Sequence, residues 1–418
     1  MEGKKRLEQI LNVYENLEKV LDSLPEQIPT AIRNTIKDSI LNDKELKELM
    51  DNIKNRRPPR YLLIGNTGHG KSSLINAILG YYNSHVSAVK IGTTKNEQYS
   101  VKDENGETVF SVLDSRGINE STPETEKQSA EDQLLAEMSN FTPDAVIYVH
   151  KAKERSSMGA EIKFLKEINE KYYQRNHRQL PIIAVLSQCD ELDPASKKEP
   201  NTYNQRKYEN IELARQEASK IIREYGLDVK DVIVLSALME YEQSYEDLED
   251  MSLMQRKSIQ PELDGRYNIE LFKQVLIDSI EDLRAQMDAA ANFRINKVLK
   301  SLAMKFTHIF ASIAGTIAIT PIPASDVFIL CALEAVLIMI ISALSGREVS
   351  FKAAGELVVS FGGVGTVGFA LRISAQQLSK LLNGLFPGSG SAVSSGIAVA
   401  GVETIGNSAI AYYFSDEE

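Results

Sequence analysis

Apolar residues return every three or four positions through the first 56 residues: Leu7, Ile10, Leu11, Tyr14, Leu17, Val20 and Leu21, then Ile28, Ile32, Ile36 and Ile40. That period gathers them on one helical face, so the spacing predicts helix up to Pro58-Pro59, where the missing N–H ends it. From residue 60 the pattern changes to short continuous apolar runs: Tyr61–Ile64, Val109–Leu113, Ala145–Val149, Ile182–Leu186 and Val232–Leu235. Runs of this length predict strands buried on both faces, with the longer stretches between them helical. Asn105-Gly106 predicts a hairpin turn that pairs a strand near Tyr99–Val101 with the one ending at Leu113. The alternation is that of a doubly wound α/β domain. Residues 240–265 are polar and acidic and read as an inserted loop, after which Asn268–Leu276 resumes a helix, the last of that domain. Residues 286–418 are rich in Ala, Gly, Ser and Ile and poor in charge. The expected domains are therefore N-terminal helices over 1–57, an α/β domain over 58–285 and an apolar helical domain over 286–418. The first and third are expected to pack together, because the apolar faces of the N-terminal helices need a partner.

Composition narrows the partners. The net charge of −11 opposes broad binding to a phosphate backbone, so no nucleic acid is expected. The two cysteines, Cys189 and Cys331, are far apart and offer neither a disulfide framework nor metal-ligand spacing, which fits a reducing compartment. Met1-Glu2-Gly3-Lys4-Lys5-Arg6 runs straight into a charged periodic segment and is not a secretory signal. The expected location is the cytoplasm, or the cytoplasmic face of a membrane as a peripheral or integral protein.

The chemistry begins at Gly65-Asn66-Thr67-Gly68-His69-Gly70-Lys71-Ser72-Ser73, placed after a predicted strand and at the start of a predicted helix. Glycines in such a loop let backbone N–H groups close around phosphates at a helix N-terminus. Lys71 would neutralise the β- and γ-phosphates, and the Ser72 hydroxyl would ligate Mg²⁺. Asp114-Ser115-Arg116-Gly117 follows at a strand end, where Asp114 can hold Mg²⁺ through water and the Gly117 N–H can sense the γ-phosphate. Between them lies Gly92-Thr93-Thr94-Lys95-Asn96, where either threonine could ligate Mg²⁺ when the γ-phosphate is present. Ser187-Gln188-Cys189-Asp190 follows the next strand, and the Asp190 carboxylate can accept from guanine N1 and N2, which adenine cannot offer. Ser236-Ala237-Leu238 sits after the last strand, with backbone N–H groups for guanine O6. GTP or GDP with Mg²⁺ is the ligand this set implies.

In this order the five motifs resemble the Era-like branch of the TRAFAC GTPases. The resemblance to that branch's Gly-Thr-Thr-Arg-Asp loop places the Mg²⁺ ligand on Thr94. Gln188 stands where the usual Asn/Thr-Lys-x-Asp motif has lysine. Gln at this position, followed by a turn such as Asp193-Pro194, is similar to the bacterial YfjP/YeeP-type GTPases. Thr320-Pro321-Ile322-Pro323-Ala324-Ser325-Asp326, Leu385-Phe386-Pro387-Gly388-Ser389-Gly390 and Thr404-Ile405-Gly406 resemble a helical domain of unknown function found behind such GTPases. A more distant likeness in layout is to dynamin-like and immunity-related GTPases. The implied fold class is α/β: a doubly wound P-loop GTPase domain with a mostly α-helical second domain built from the N- and C-terminal segments.

Ile118 follows Gly117 where many GTPases carry a water-orienting glutamine, and Gly68 replaces the Asn of potassium-activated Era relatives. Slow intrinsic hydrolysis is therefore expected, raised by a partner or by a homodimer through the GTPase domain. The missing positive charge could come from Arg116, or from Lys151, Lys153 or Arg155. Val327 to Leu344 is apolar except for Glu334, and Ile309 to Ile319 precedes it across Pro321 and Pro323. Two readings stay open: a membrane hairpin with lipid as partner, or a buried helical pair. A charge mid-span costs ~2.5–3.5 kcal/mol on insertion scales, which weighs for the second.

Overall fold

The computed structural model describes residues 2–22, 30–83, 96–103, 105–115, 124–154, 157–293, 295–319, 326–347 and 389–415, with Ser350, Ala353, Ala354 and Leu357 besides. The chain divides into two compact units, one of residues 57–289 and the other of residues 1–56 with 290–418.

The first unit is built on a six-stranded sheet: β1 (Arg60–Ile64), β2 (Glu97–Lys102), β3 (Thr108–Asp114), β4 (Ala145–Lys151), β5 (Ile182–Ser187) and β6 (Asp231–Val234), in the order β2-β3-β1-β4-β5-β6. Only the β2–β3 pair is antiparallel. Its turn uses Gly106 at φ +78°, with Asp103 Oδ1 accepting from the backbone N–H groups of Asn105 and Glu107. The glycine is there because that left-handed geometry strains any side chain. All described strands of the sequence reading are present, and β5 is buried at every position, as a strand covered on both faces must be.

The helices of this unit are α5 (Lys71–Leu79), α6 (Glu124–Phe141), α7 (Met158–Asn176), α8 (Gln205–Glu224), α9 (Tyr245–Asp250), α10 (Leu253–Ser258) and α11 (Ile269–Asp278). Leu62, Tyr148, Leu186, Ile162, Tyr172 and Ile222 belong to one continuous core between the sheet and α6, α7 and α8. The inserted loop expected over 240–265 is structured. A two-stranded ribbon, β7 (Met239–Glu240) with β8 (Leu263–Asp264), closes its base. Ser244 with Asp247 and Ser252 with Gln255 form capping boxes that start α9 and α10. A polar composition hid two helices whose starting signals are themselves polar.

The second unit contains α1 (Glu2–Glu15), α2 (Leu17–Asp22), α3 (Thr30–Asn42), α4 (Lys44–Lys54), α13 (Asn296–Ile319), α14 (Asp326–Leu344) and α15 (Ser389–Tyr413); α12 (Leu283–Phe293) carries the chain across the boundary at residue 290. The N-terminal helical stretch is thus segmented, and Asp43 starts α4 by accepting from the Leu46 N–H at 2.8 Å. α14 packs against α1, α3, α13 and α15. Its described side chains are almost all buried, Glu334 fully. Among the described residues no helix is long and apolar enough to cross a membrane. α13 and α15 approach closely at small residues: a Cβ on Gly406 would meet Thr307 Cγ2 at 2.4 Å. The fold class read from the sequence holds: a mixed sheet of mainly parallel strands, plus a mostly helical remainder.

Candidate functional site

The loop Gly65–Ser72 leaves β1 and enters α5. Gly65 runs so close to β4 that a Cβ there would lie 2.3 Å from the Val149 carbonyl oxygen, and Gly68 and Gly70 take φ +79° and +84°. Glycine is needed at each for a stated reason: space at the first, left-handed backbone at the other two. Lys71 Nζ donates to the Gly65 carbonyl at 2.7 Å and lies 3.7 Å from Asp114 Oδ1 at the end of β3.

Asp114 Oδ1 is buried and accepts no hydrogen bond. Burial pushes the Asp114 carboxyl up to about 6; Lys71 opposes this and Glu97 adds to it. A buried carboxylate oxygen that accepts no hydrogen bond fits a hard cation such as Mg²⁺, which takes oxygen donors and reverses the local charge balance. Thr94, the remaining expected ligand, lies outside the described residues, as do Thr93, Arg116, Gly117, Ile118 and Arg155. Residues 320–325 and 385–388 lie outside them too.

Gln188 follows β5 in left-handed conformation (φ 59°), and its Nε2 donates to the Gly68 carbonyl at 2.9 Å. The side chain that stands for lysine therefore reaches across to the phosphate loop. Asp190 is buried, with Oδ1 accepting from Ser236 Oγ at 2.7 Å. Ser236 Oγ accepts in turn from the Leu238 N–H at 3.2 Å. Lys207, fully buried on α8, donates to the carbonyls of Asp190 at 2.7 Å and Leu192 at 2.5 Å. These bonds fix the backbone that presents Asp190.

Gly70, Ser73, Gln188, Asp190 and Ala237 line one cleft of about 250 Å³, together with Tyr82. Tyr82 stacks on Tyr245 at 5.6 Å and meets Tyr241 edge-on at 6.4 Å. This aromatic wall was missed by the sequence reading. Its one signal is the set of tyrosines at 81, 82, 241 and 245 beside or within an otherwise polar stretch. The His69 ring is buried and meets His150 edge-on at 4.8 Å. Of the cations proposed to supply charge, Lys151 lies near the loop: its Nζ is 4.0 Å from where a Gly68 Cβ would stand, and it pairs with Glu154 at 3.1 Å.

Residues 60–188 match the family model described as 50S ribosome-binding GTPase. None of the curated proteins matches the sequence. Similar solved structures include Toc33 from Arabidopsis thaliana, 13% identical, covering 65% of this chain and 95% of that one at a TM-score of 0.33. A GTP-binding protein from Sulfolobus solfataricus in complex with GDP is 18% identical over 69% and 68% at 0.31. LeoA, a bacterial dynamin GTPase from ETEC, is 11% identical over 88% and 59% at 0.37. At identities and TM-scores this low, nothing about partners follows from them. The family match and the parallel sheet agree: residues 60–188 belong to a P-loop GTPase domain, and its reaction is the hydrolysis of GTP.

Proposed function

We propose that the protein is a slow GTP-hydrolysing switch whose nucleotide state is passed to its helical domain, with 58–285 as the GTPase domain and 1–57 and 286–418 as the helical part. The observation that carries this is the convergence of the phosphate loop, Gln188, Asp190 and Ala237 on one cleft. In this reading, backbone N–H groups of Gly65–Ser73 hold the phosphates, and Lys71 neutralises the β- and γ-oxygens. Ser72, Thr94 and Asp114 would hold Mg²⁺, which supplies charge neutralisation on those oxygens. The Gly117 N–H reads the γ-phosphate. Asp190 pairs with guanine N1 and N2, and the backbone of Ser236 and Ala237 meets O6. Ile118 cannot orient the attacking water, so turnover waits for a cation from Arg116, Lys151, Lys153 or Arg155 as a homodimer forms; an inserted arginine contributes ~10³–10⁵ in rate.

A second reading is a GTP-gated regulatory module with incidental hydrolysis, acting on protein partners. It is favoured by the packing of α14, whose described apolar side chains are covered by α1, α3, α13 and α15. Action at a membrane needs apolar surface from elsewhere in the helical domain. GTP turnover measured across protein concentrations, with and without anionic liposomes, separates these. Specific activity that rises with concentration supports the dimeric enzyme, and a further rise on liposomes supports membrane action. Slow, flat turnover in every condition rejects the switch driven by dimerisation and leaves the regulatory module.

A further inference from the structure

Directly behind the phosphate loop lies a cluster that the GTPase chemistry does not use. His69 in the loop, His150 near the end of β4 and Glu161 on α7 are each at most 3% exposed. One ligand atom from each lies within 4.8 Å of the others. We propose that these three side chains form a binding site for a borderline transition-metal ion of the Zn²⁺ or Co²⁺ class, separate from the Mg²⁺ position.

The argument rests on how each ring is held. His69 Nδ1 faces the Val149 carbonyl at 3.2 Å, so Nδ1 carries the proton and Nε2 keeps its lone pair. His150 Nε2 donates to the Glu154 carbonyl, and Nδ1 faces Glu161 Oε2 at 3.0 Å, so an ion would take the place of the proton that Nδ1 shares with that carboxylate. Glu161 Oε2 accepts from the Tyr148 hydroxyl at 2.7 Å, and Oε1 accepts from Asn66 Nδ2. Each ligand is thus oriented by a bond from its other side, two of them to backbone carbonyls, which is the arrangement that fixes tautomer and direction around bound metals. A ligand set of two imidazoles and one carboxylate suits Zn²⁺ or Co²⁺ and not Mg²⁺ or Ca²⁺, which take oxygen.

Bonds of about 2.0–2.2 Å to a tetrahedral ion place ligand atoms roughly 3.3 Å apart, so the cluster must contract by at most about 1.5 Å. Glu154 offers the route in and a fourth ligand: it is half-exposed, and its Oε2 lies 3.6 Å from His69 Nε2. An ion here ties His69, and through Glu161 also Asn66, to β4 and α7. Both residues belong to the phosphate loop, so occupancy stiffens the segment that must close around the nucleotide.

The test uses the full chain, stripped with chelator, returned to excess Mg²⁺ and titrated with Co²⁺. The expected result is one Co²⁺ per chain with the intense visible bands of four-coordinate cobalt, abolished when Zn²⁺ displaces it. Glu161→Gln keeps the shape of the side chain and removes the anionic ligand; His69→Asn removes a nitrogen in the more accessible loop. Each should weaken Co²⁺ binding by at least about tenfold. If the first fails to fold by far-UV circular dichroism, the second decides alone. No stoichiometric Co²⁺ uptake by the wild-type chain, or equal uptake by a folded variant, overturns the site.

Discussion

Ser236 Oγ occupies one lone pair of Asp190 Oδ1 at 2.7 Å, which leaves the rest of the carboxylate for the N–H groups of a base. Asp190→Asn puts an amide donor where guanine also donates, while xanthine offers a carbonyl there. GDP affinity should fall at least about 100-fold and xanthosine diphosphate should bind the variant better than GDP, read by calorimetry with both nucleotides. Asp114 makes a second prediction, from pH. Its carboxyl is pushed up to about 6 by burial, and only the ionised form can hold Mg²⁺. Mg²⁺-dependent GTP binding should weaken as pH falls from about 7 to 5, and Asp114→Asn should lose that step. The sign for folding is opposite: a raised carboxylate pKa favours the nucleotide-free fold below the unfolded value, and that gain is lost as pH rises through about 6. The placement of both at strand ends was legible in the sequence, because continuous apolar runs fix β3 and β5. The partners that tune them were not. Lys207 lies 17 residues beyond Asp190 and reaches it only through the packing of α8.

At the scale of elements, Gly406 shows what a motif alone leaves out. The sequence marks Thr404-Ile405-Gly406 by resemblance, and the packing supplies the reason: Thr307 of α13 fills the place of a side chain on α15. Gly406→Ala forces even one methyl into that contact. It should destabilise the chain by about 1–3 kcal/mol, seen as a lower denaturant midpoint in the helical signal, although glycine-to-alanine in a free helix would do the reverse. The sheet was readable because buried parallel strands leave continuous apolar runs, as in Ile182–Leu186. The stretch 240–265 was not, because α9 and α10 are short and rest on serine caps. Its tyrosines reach the cleft only through the tertiary fold that brings Tyr245 onto Tyr82.

For the whole molecule, residues 1–56 and 290–418 form one compact unit; the apolar faces of the N-terminal helices pointed to such a partner, but no local pattern records which distant helices pair. The chain passes between the units at residues 56–57 and inside α12. A switch of this kind works only if nucleotide state has different free energies in two arrangements of the part it controls. The expected sources of that difference are the Thr94 segment and Asp114–Ile118, which a γ-phosphate would order. Hydrogen exchange of the full chain with GDP and with a non-hydrolysable GTP analogue measures the consequence directly. Protection should change in the phosphate loop with both nucleotides, but in residues 1–56 or 290–415 only with the GTP analogue. Equal protection of those helices in both states would show that the energy of the γ-phosphate stays within the GTPase domain. The helical unit would then be a fixed attachment, and the switch would have to act through the GTPase surface itself.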